Sequence, residues 1–198
     1  MSDKGVLIDS ILEIELGMFL SVRARGKSVC QDRPESFLLH RSAQFSSWAP
    51  AALASYLRDL QKAKHEGRNL MTYKYARMEN LVPGEARRPG IAEILEEIVR
   101  IQLAWQNEIA EEYPALMAGA RPLSSSEDSE SATSFETYLR GELESYSDET
   151  LALLHEDIRR KLNEGTNMSR EVYDSLAKAT GFSSLDEAEG RARRRGSS

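Results

Sequence analysis

The chain has 198 residues, 40% of them hydrophobic and 29% charged, and a formal net charge of −6 at pH 7. This length and composition suit a folded protein with a buried core and exclude a chain too polar to fold. The acidic balance argues against nucleic-acid binding, because affinity for phosphates rests on a positive surface. No run of about 18 apolar residues occurs, so no membrane-spanning helix is predicted.

The cysteine and histidine content narrows the chemistry further. Cys30 is the only cysteine, so an internal disulfide is excluded, and no neighbouring histidine or basic cluster marks the thiol as an activated nucleophile. The three histidines lack the spacing of a helical metal site. Acidic residues interrupt the N-terminal apolar stretch, which does not fit a signal peptide. We therefore expect a cytoplasmic protein that uses neither a metal nor an organic cofactor.

The first predicted element is a helix over residues 5–24, where apolar residues recur with the 3.6-residue period of a helix. Three further helices follow, two with proline in the first turn and one with an asparagine N-cap. The signals are Pro34, Pro50 and Asn69, and the helices cover residues 34–48, 50–67 and 70–81.

Two prolines and two glycines in "VPGEARRPG", residues 82–90, separate these helices from the next part of the chain. A long helix is predicted over residues 91–112, and a further helix begins near Ser134, with Thr133 and Glu136 spaced as a capping box. No alternating run of β-branched residues occurs. An all-α fold follows.

A self-comparison indicates an internal duplication. Shifted by 98 residues, Pro34–Met78 aligns without a gap to Ala132–Leu176, with ten of 45 positions identical. The matches fall on helix ends and apolar positions, and a shift of 87 aligns the first helix with the long one. We predict one helical domain, residues 1–182, built from a first half (residues 5–81) and a second half (residues 91–182) about a pseudo-twofold axis. Coincidental reuse of common helix signals is the alternative.

The remaining residues, 183–198, read as a flexible basic tail. They hold Arg191, Arg193, Arg194 and Arg195 and end in glycine and serine. A solvated terminus is the favoured interpretation, and an arm for an acidic partner is the alternative.

The duplication makes four polar positions unusual. Glu142 lies in the apolar stripe of the helix that begins near Ser134, and Gln44 occupies the matching place in the first half. On the long helices, Glu15 and Gln102 are equivalent in the same way. Burying a carboxylate or amide without a partner costs about 2–7 kcal/mol, so these side chains need one another or a ligand.

Two interpretations of these positions stay open. In one, the four side chains form a satisfied network that only fixes helix packing. In the other, they line a polar pocket with Glu15 and Glu142 as catalytic residues and Gln44 and Gln102 as substrate-binding residues. Burial would raise the pKa of Glu15 or Glu142, which could then transfer a proton near neutral pH.

Neighbouring side chains would extend such a pocket. His40 and Tyr138 lie on the same stripes, and Arg41 or Arg140 can hold a substrate carboxylate through two parallel hydrogen bonds. The alternatives are a hydrogen-bonded core histidine and surface ion pairs. Acidic residues before the two stripe helices serve as caps or mark helix ends that attract anions; they are Asp32, Glu127 and Asp128.

Four segments resemble the bacterial family of domain of unknown function 4125, over about Ile11 to Glu189. They are "CQDRPESFLLHRSAQFSSW", "SYLRDLQKAKHEGRNLMTYKYARM", "YPALMAGARPLSSSED" and, most specific, "TSFETYLRGELESYSDETL". The resemblance implies a stand-alone cytoplasmic helical domain of about this length, with no activity attached.

Two functions are consistent with the sequence. The first is a protein that binds a small polar molecule, one carrying a carboxylate if an arginine holds it, with cofactor-independent acid–base chemistry if it is an enzyme. The second is a non-catalytic interaction module whose polar core is structural.

Overall fold

A computed structural model describes residues 3–22, 33–84, 86–129 and 132–196. These residues form α helices and contain no β-strand, which confirms the predicted all-α fold. The helices are α1 Asp3–Leu20, α2 Pro34–Ser46, α3 Pro50–His65, α4 Leu70–Met78, α5 Pro89–Glu112, α6 Pro114–Met117, α7 Phe135–Leu143, α8 Asp148–Asn163, α9 Met168–Ala179 and α10 Leu185–Gly196.

Most helix ends follow the local sequence signals. Asn69 caps α4 by accepting a hydrogen bond from the Thr72 amide at 2.9 Å, as predicted. The predicted end of α4 at Leu81 is too late, since α4 ends at Met78 and Asn80 then adopts a left-handed φ of 54°. Asparagine tolerates this conformation, which turns the chain away from the helix.

The start of α7 differs from the predicted capping box. Ser134, not Thr133, is the N-cap and accepts from the Thr137 amide at 3.1 Å. Glu136 instead accepts from the Ser125 amide at 3.0 Å. Asp128 accepts from the Ser134 amide at 2.6 Å, so capping accounts for this acidic residue. Ser125 and Asp128 of the serine-rich segment are thereby hydrogen-bonded to the start of α7.

The helices pack in a pattern that recurs. In the first half, α1 packs against α2, α3 and α4; in the second half, α5 packs against α7, α8 and α9. Contacts between the halves join α2 to α9, α4 to α7 and α3 to α8. One apolar core cluster runs through α1–α5 and α7–α9. Each half therefore completes its packing on helices of the other.

Hydrogen bonds at the starts of α3 and α8 recur with the same spacing. The Ala49 amide donates to Asp157 at 2.6 Å, and the Ser147 amide donates to Asp59 at 3.0 Å. Each donor and each acceptor is separated from its counterpart by 98 residues. Each of these two helices is thus capped by an aspartate of the other.

The caps of α4 and α9 recur as well. The Asn69 side chain donates to the Met18 carbonyl at 2.8 Å, and Asn167 donates to the Trp105 carbonyl at 3.2 Å. Both asparagines also cap the helix that follows them. They tie each cap to the long helix of its own half.

The segment expected to be a flexible tail contains helix α10 instead. Leu185 and Ala188 are buried against Ile109 and Tyr113 of the α5–α6 region. Glu189 accepts from the first amides of α6. Acidic residues in the first turn and arginines in the last complement the helix dipole, which explains why an arginine-rich segment is helical here.

None of the described helices is both long enough and apolar enough to cross a membrane.

Candidate functional site

Four charged side chains meet inside the molecule where α1, α2, α4 and α7 converge. Glu15 is 0% exposed, Lys74 1%, and Arg41 and Glu142 3% each. Together with the side chains that bond to them they form what we call the buried ion network: Glu15, Arg41, Gln44, Tyr56, Lys74, Glu142 and Tyr146.

Arg41 links the two carboxylates. Its Nε and Nη2 donate to the two oxygens of Glu15 at 2.8 and 2.5 Å. Its Nη1 donates to Glu142 at 2.5 Å and to the side-chain amide oxygen of Gln44 at 2.7 Å. Tyr56 donates to Glu15 at 2.6 Å. Both oxygens of Glu15 are therefore bonded, in the two-pronged geometry that arginine favours with a carboxylate.

Glu142 accepts hydrogen bonds from four side chains. Its Oε1 accepts hydrogen bonds from Arg41, from the Gln44 amide at 2.9 Å and from the Tyr146 hydroxyl at 2.5 Å. Oε2 receives the Lys74 ammonium at 2.8 Å. Two carboxylates thus face two cations, so the network is neutral in total.

The surroundings of Glu142 set its protonation. Burial alone would raise the pKa of this carboxyl, but the charges of Arg41 and Lys74 and hydrogen bonds from Lys74 and Tyr146 outweigh burial. The pKa of Glu142 accordingly lies far below its ordinary value of 4.5. The expectation of a raised pKa is therefore wrong for Glu142, because desolvation does not act on it alone.

The titratable side chains that donate hydrogen bonds to the two carboxylates have raised pKa values. Burial, then the charge of Glu15, raises the pKa of Tyr56 well above its ordinary value, and burial with the charge of Glu142 does the same for Tyr146. Burial lowers the pKa of Lys74, but Glu142 overcomes this and the net shift is upward. All the donors are therefore protonated at neutral pH.

The structure brings together only part of the predicted site. Glu15, Arg41, Gln44 and Glu142 are in direct contact. Tyr138 lies at the border of the network, its ring centroid 3.7 Å from the Lys74 ammonium.

The other predicted site residues lie elsewhere. Gln102 is half-buried and has no hydrogen bond to the network; the buried amide of α5 is Gln106, which donates to Tyr173 at 2.8 Å. His40 is exposed and bonded to the Ser36 carbonyl of its own helix at 2.8 Å. Arg140 forms a surface ion pair with Glu96.

Lys74, Tyr56 and Tyr146 are members that the sequence did not reveal as polar partners. Lys74 lies on the inward stripe of α4 with Leu70 and Met71, all buried. A charged residue inside an apolar stripe is the same signal that identified Glu142, and it was available for Lys74.

The network offers no open coordination site. Within the described residues, no group of three His, Cys, Asp or Glu side chains is placed to hold a metal ion. Cys30 and Asp32, two residues considered from the sequence, lie outside the described residues. Every carboxylate oxygen of the network already accepts a hydrogen bond, so the arrangement is suited to holding helices together.

A cleft of about 390 Å3 lies apart from the network, between the first turn of α1, the α2–α3 junction, and helices α8 and α9. We call it the interhelix cleft. Its polar lining includes Lys4, Ser46, Ser47, Lys161, Glu171 and Ser175. The cleft is open to solvent, whereas the network is closed.

Fold and site together define an all-helical protein whose interior holds a neutral, closed cluster of charges. The chain belongs to the family described as "Protein of unknown function (DUF4125)", whose profile matches residues 5–190 and confirms the resemblance found in the sequence. No curated protein and no solved structure matches the chain.

Proposed function

We propose that the protein is a non-catalytic binding module built from two copies of a four-helix unit, in which the buried ion network fastens one copy to the other. The observation that carries this proposal is the saturation of Glu142. A carboxylate that accepts from four side chains and has a strongly lowered pKa is a poor general base at neutral pH.

The position of the network supports a structural role. Arg41 and Lys74 come from the first half and Glu142 from the second, so both ion pairs of Glu142 cross between the halves. Breaking such a buried pair costs about 3–5 kcal/mol, because an unpaired charge is left behind. The network consequently favours one arrangement of the halves over others.

The duplication is supported by the paired packing of helices and by the matching caps. Contacts of α2 with α9 and of α4 with α7 exchange under a shift of 98 residues, as do the bonds of Asp59 and Asp157. These exchanges support a pseudo-twofold axis between α3 and α8.

A substrate panel tests the non-catalytic proposal. Esters, amides, hydroxy acids and isomerisable sugars would be incubated with the wild type and with Glu142→Leu/Lys74→Met, which removes one charge of each sign and keeps the network neutral. We expect no turnover by either protein, and the same co-purified molecules in native mass spectrometry.

The competing proposal is acid–base chemistry by Glu15 and Glu142 on a small polar substrate. Turnover by the wild type that disappears in the folded double variant would overturn the non-catalytic proposal in favour of it. Circular dichroism and the thermal midpoint would establish that the variant is folded.

A further inference from the structure

We propose that the interhelix cleft binds a small organic molecule through a carboxylate. This inference goes beyond the proposed function and does not depend on whether the buried ion network is catalytic. It rests on a difference between the two halves, on the charges in the cleft and on its size.

The cleft exists because two serines stand where the other half has an ion pair. Ser46 of α2 and Ser175 of α9 face each other, with their hydroxyl oxygens 3.3 Å apart. The residues 98 positions away are Glu144 and Arg77, which are joined by two hydrogen bonds, one of them 3.1 Å long. Large side chains thus fill one position, and small ones leave its counterpart open.

In each half, a cation donates a hydrogen bond to the backbone carbonyl of the residue at this position. Arg87 donates to the Glu144 carbonyl at 2.8 Å, and Lys4 donates to the equivalent Ser46 carbonyl at 2.6 Å. In the filled position the carboxylate of Glu144 pairs with Arg77, while Arg87 pairs with Asp148. In the open position no carboxylate stands in its place.

The charges lining the cleft are mostly positive. Lys4, Arg160 and Lys161 line it together with one carboxylate, Glu171, which Lys161 contacts through both oxygens. Asp157 lies behind the lining and is bonded to Arg160. Burial, then the charge of Lys161, lowers the pKa of Lys4 despite the opposing carboxylates. A bound carboxylate would stabilise the Lys4 ammonium.

The size of the cleft and its remaining polar groups define the ligand class. A volume of about 390 Å3 falls in the range of small-molecule sites. The Ser46 and Ser175 hydroxyls donate to carbonyls of their own helices at 2.7 and 2.8 Å, so they can accept hydrogen bonds from donor groups of the ligand. The ligand carboxylate takes the place that Glu144 occupies in the filled counterpart.

Protein-observed NMR titration tests the site with defined probes. Acetate, succinate and citrate would be added to the full chain, with acetamide, succinamide and inorganic phosphate as comparisons. We expect the carboxylates to shift the amide resonances of Ser46, Ser47 and Ser175, and the neutral amides to leave them unchanged at the same concentration.

Two variants make the test specific. Ser46→Glu/Ser175→Arg builds into the cleft the ion pair of the other half, and we expect at least a tenfold loss of carboxylate affinity. The matched control, Arg77→Ser/Glu144→Ser, changes the counterpart position and should leave that affinity within twofold of the wild type. Should the filled variant fail to fold, Lys4→Gln removes only a cleft charge and should weaken binding about fivefold.

Three results would overturn the inference and leave the proposed function untouched. The first is no shift of cleft resonances with any carboxylate up to its solubility. The second is equal binding of an acid and its amide, which removes the role of charge. The third is tighter binding of inorganic phosphate than of every carboxylate, which reassigns the ligand class.

Discussion

The two halves agree at their helix ends and differ in their interiors. Asp59 and Asp157 cap opposite helices in the same way, and Asn69 and Asn167 each reach back to the long helix of their half. The buried ion network has no such counterpart. At the shift of 98 residues, three of its first-half members, Arg41, Tyr56 and Lys74, correspond to Leu139, Leu154 and Val172.

The helix caps and the buried ion network therefore have different roles in the fold. Caps satisfy backbone groups that every copy of a helix exposes, so both halves need them equally. Charges in the interior need only one balanced cluster, and a single carboxylate from the second half, Glu142, completes it. In the proposed duplication, the helix ends are the features that the two copies share, and the network is the feature that joins them.

The largest expected effect is the loss of Glu142. Glu142→Gln leaves Arg41 and Lys74 buried with Glu15 as the one remaining carboxylate, and should lower the free energy of unfolding by about 3–5 kcal/mol. Urea denaturation at pH 7 measures this.

The matched control is Glu142→Leu/Lys74→Met, which restores charge balance and should recover most of the loss. If Glu142→Gln cost less than about 1 kcal/mol, a figure typical of surface pairs, the network would not fasten the halves.

The second effect is pH dependence. The folded-state pKa of Glu142 is lowered, so its stabilisation is complete above its unfolded value near 4.5 and is lost as the pH falls towards the folded value. The folded-state pKa values of Lys74 and Tyr146 are raised, so these two groups affect stability at alkaline pH. Their contribution to the stability of the fold is lost as the pH rises above about 10.

Urea unfolding at pH 7 and pH 3.5 compares the wild type with Glu142→Leu/Lys74→Met. The difference between the two pH values should be smaller in the variant. An identical difference in both proteins would mean that Glu142 has no lowered pKa.

A third effect concerns the contact of α4 with α7. A Cβ added at Gly141 would lie 2.7 Å from Met78 Cγ and 3.1 Å from the Lys74 carbonyl oxygen. Gly141→Ala should therefore cost about 1–3 kcal/mol through overpacking, although alanine favours a helix by about 1 kcal/mol. Chemical denaturation measures the net sign.

Ala43 is the equivalent residue on α2 and provides the control. Ala43→Gly should cost about 2 kcal/mol through helix propensity and the loss of a buried methyl group. A stabilised Gly141→Ala protein would show that α7 is free to move away from α4.

The smallest effect tests the similarity of the helix ends. Asp59→Ala and Asp157→Ala each remove one cap and should each cost about 1 kcal/mol. The two losses, measured by thermal or urea unfolding, should agree within about 0.5 kcal/mol. If one substitution left the free energy of unfolding unchanged and the other lowered it, the two helix ends would not be equivalent.

Helices and inward-facing polar positions were accessible from the sequence, because both follow from local periodicity. Glu142 was recognised as inward from its place in an apolar stripe. Its partners were not, since Arg41 and Lys74 reach it across 101 and 68 residues, and periodicity carries no distance between helices.

The C-terminal helix was missed for a different reason. Leu185, Ala188 and Ala192 have helical spacing, but the arginine run around them suggested a solvated tail. The apolar contacts with Ile109 and Tyr113 and the hydrogen bonds of Glu189 to α6 make α10 part of the molecule, and these depend on tertiary structure.

The exchange of helix contacts between the halves has a consequence for assembly. In the proposed duplication α2 rests on α9 and α4 on α7, so each half on its own resembles one protomer of an obligate dimer. A chain divided between Met78 and Pro89 should yield two fragments that fold only when they associate. By the same reasoning, a single ancestral unit would have had to form a homodimer in order to fold.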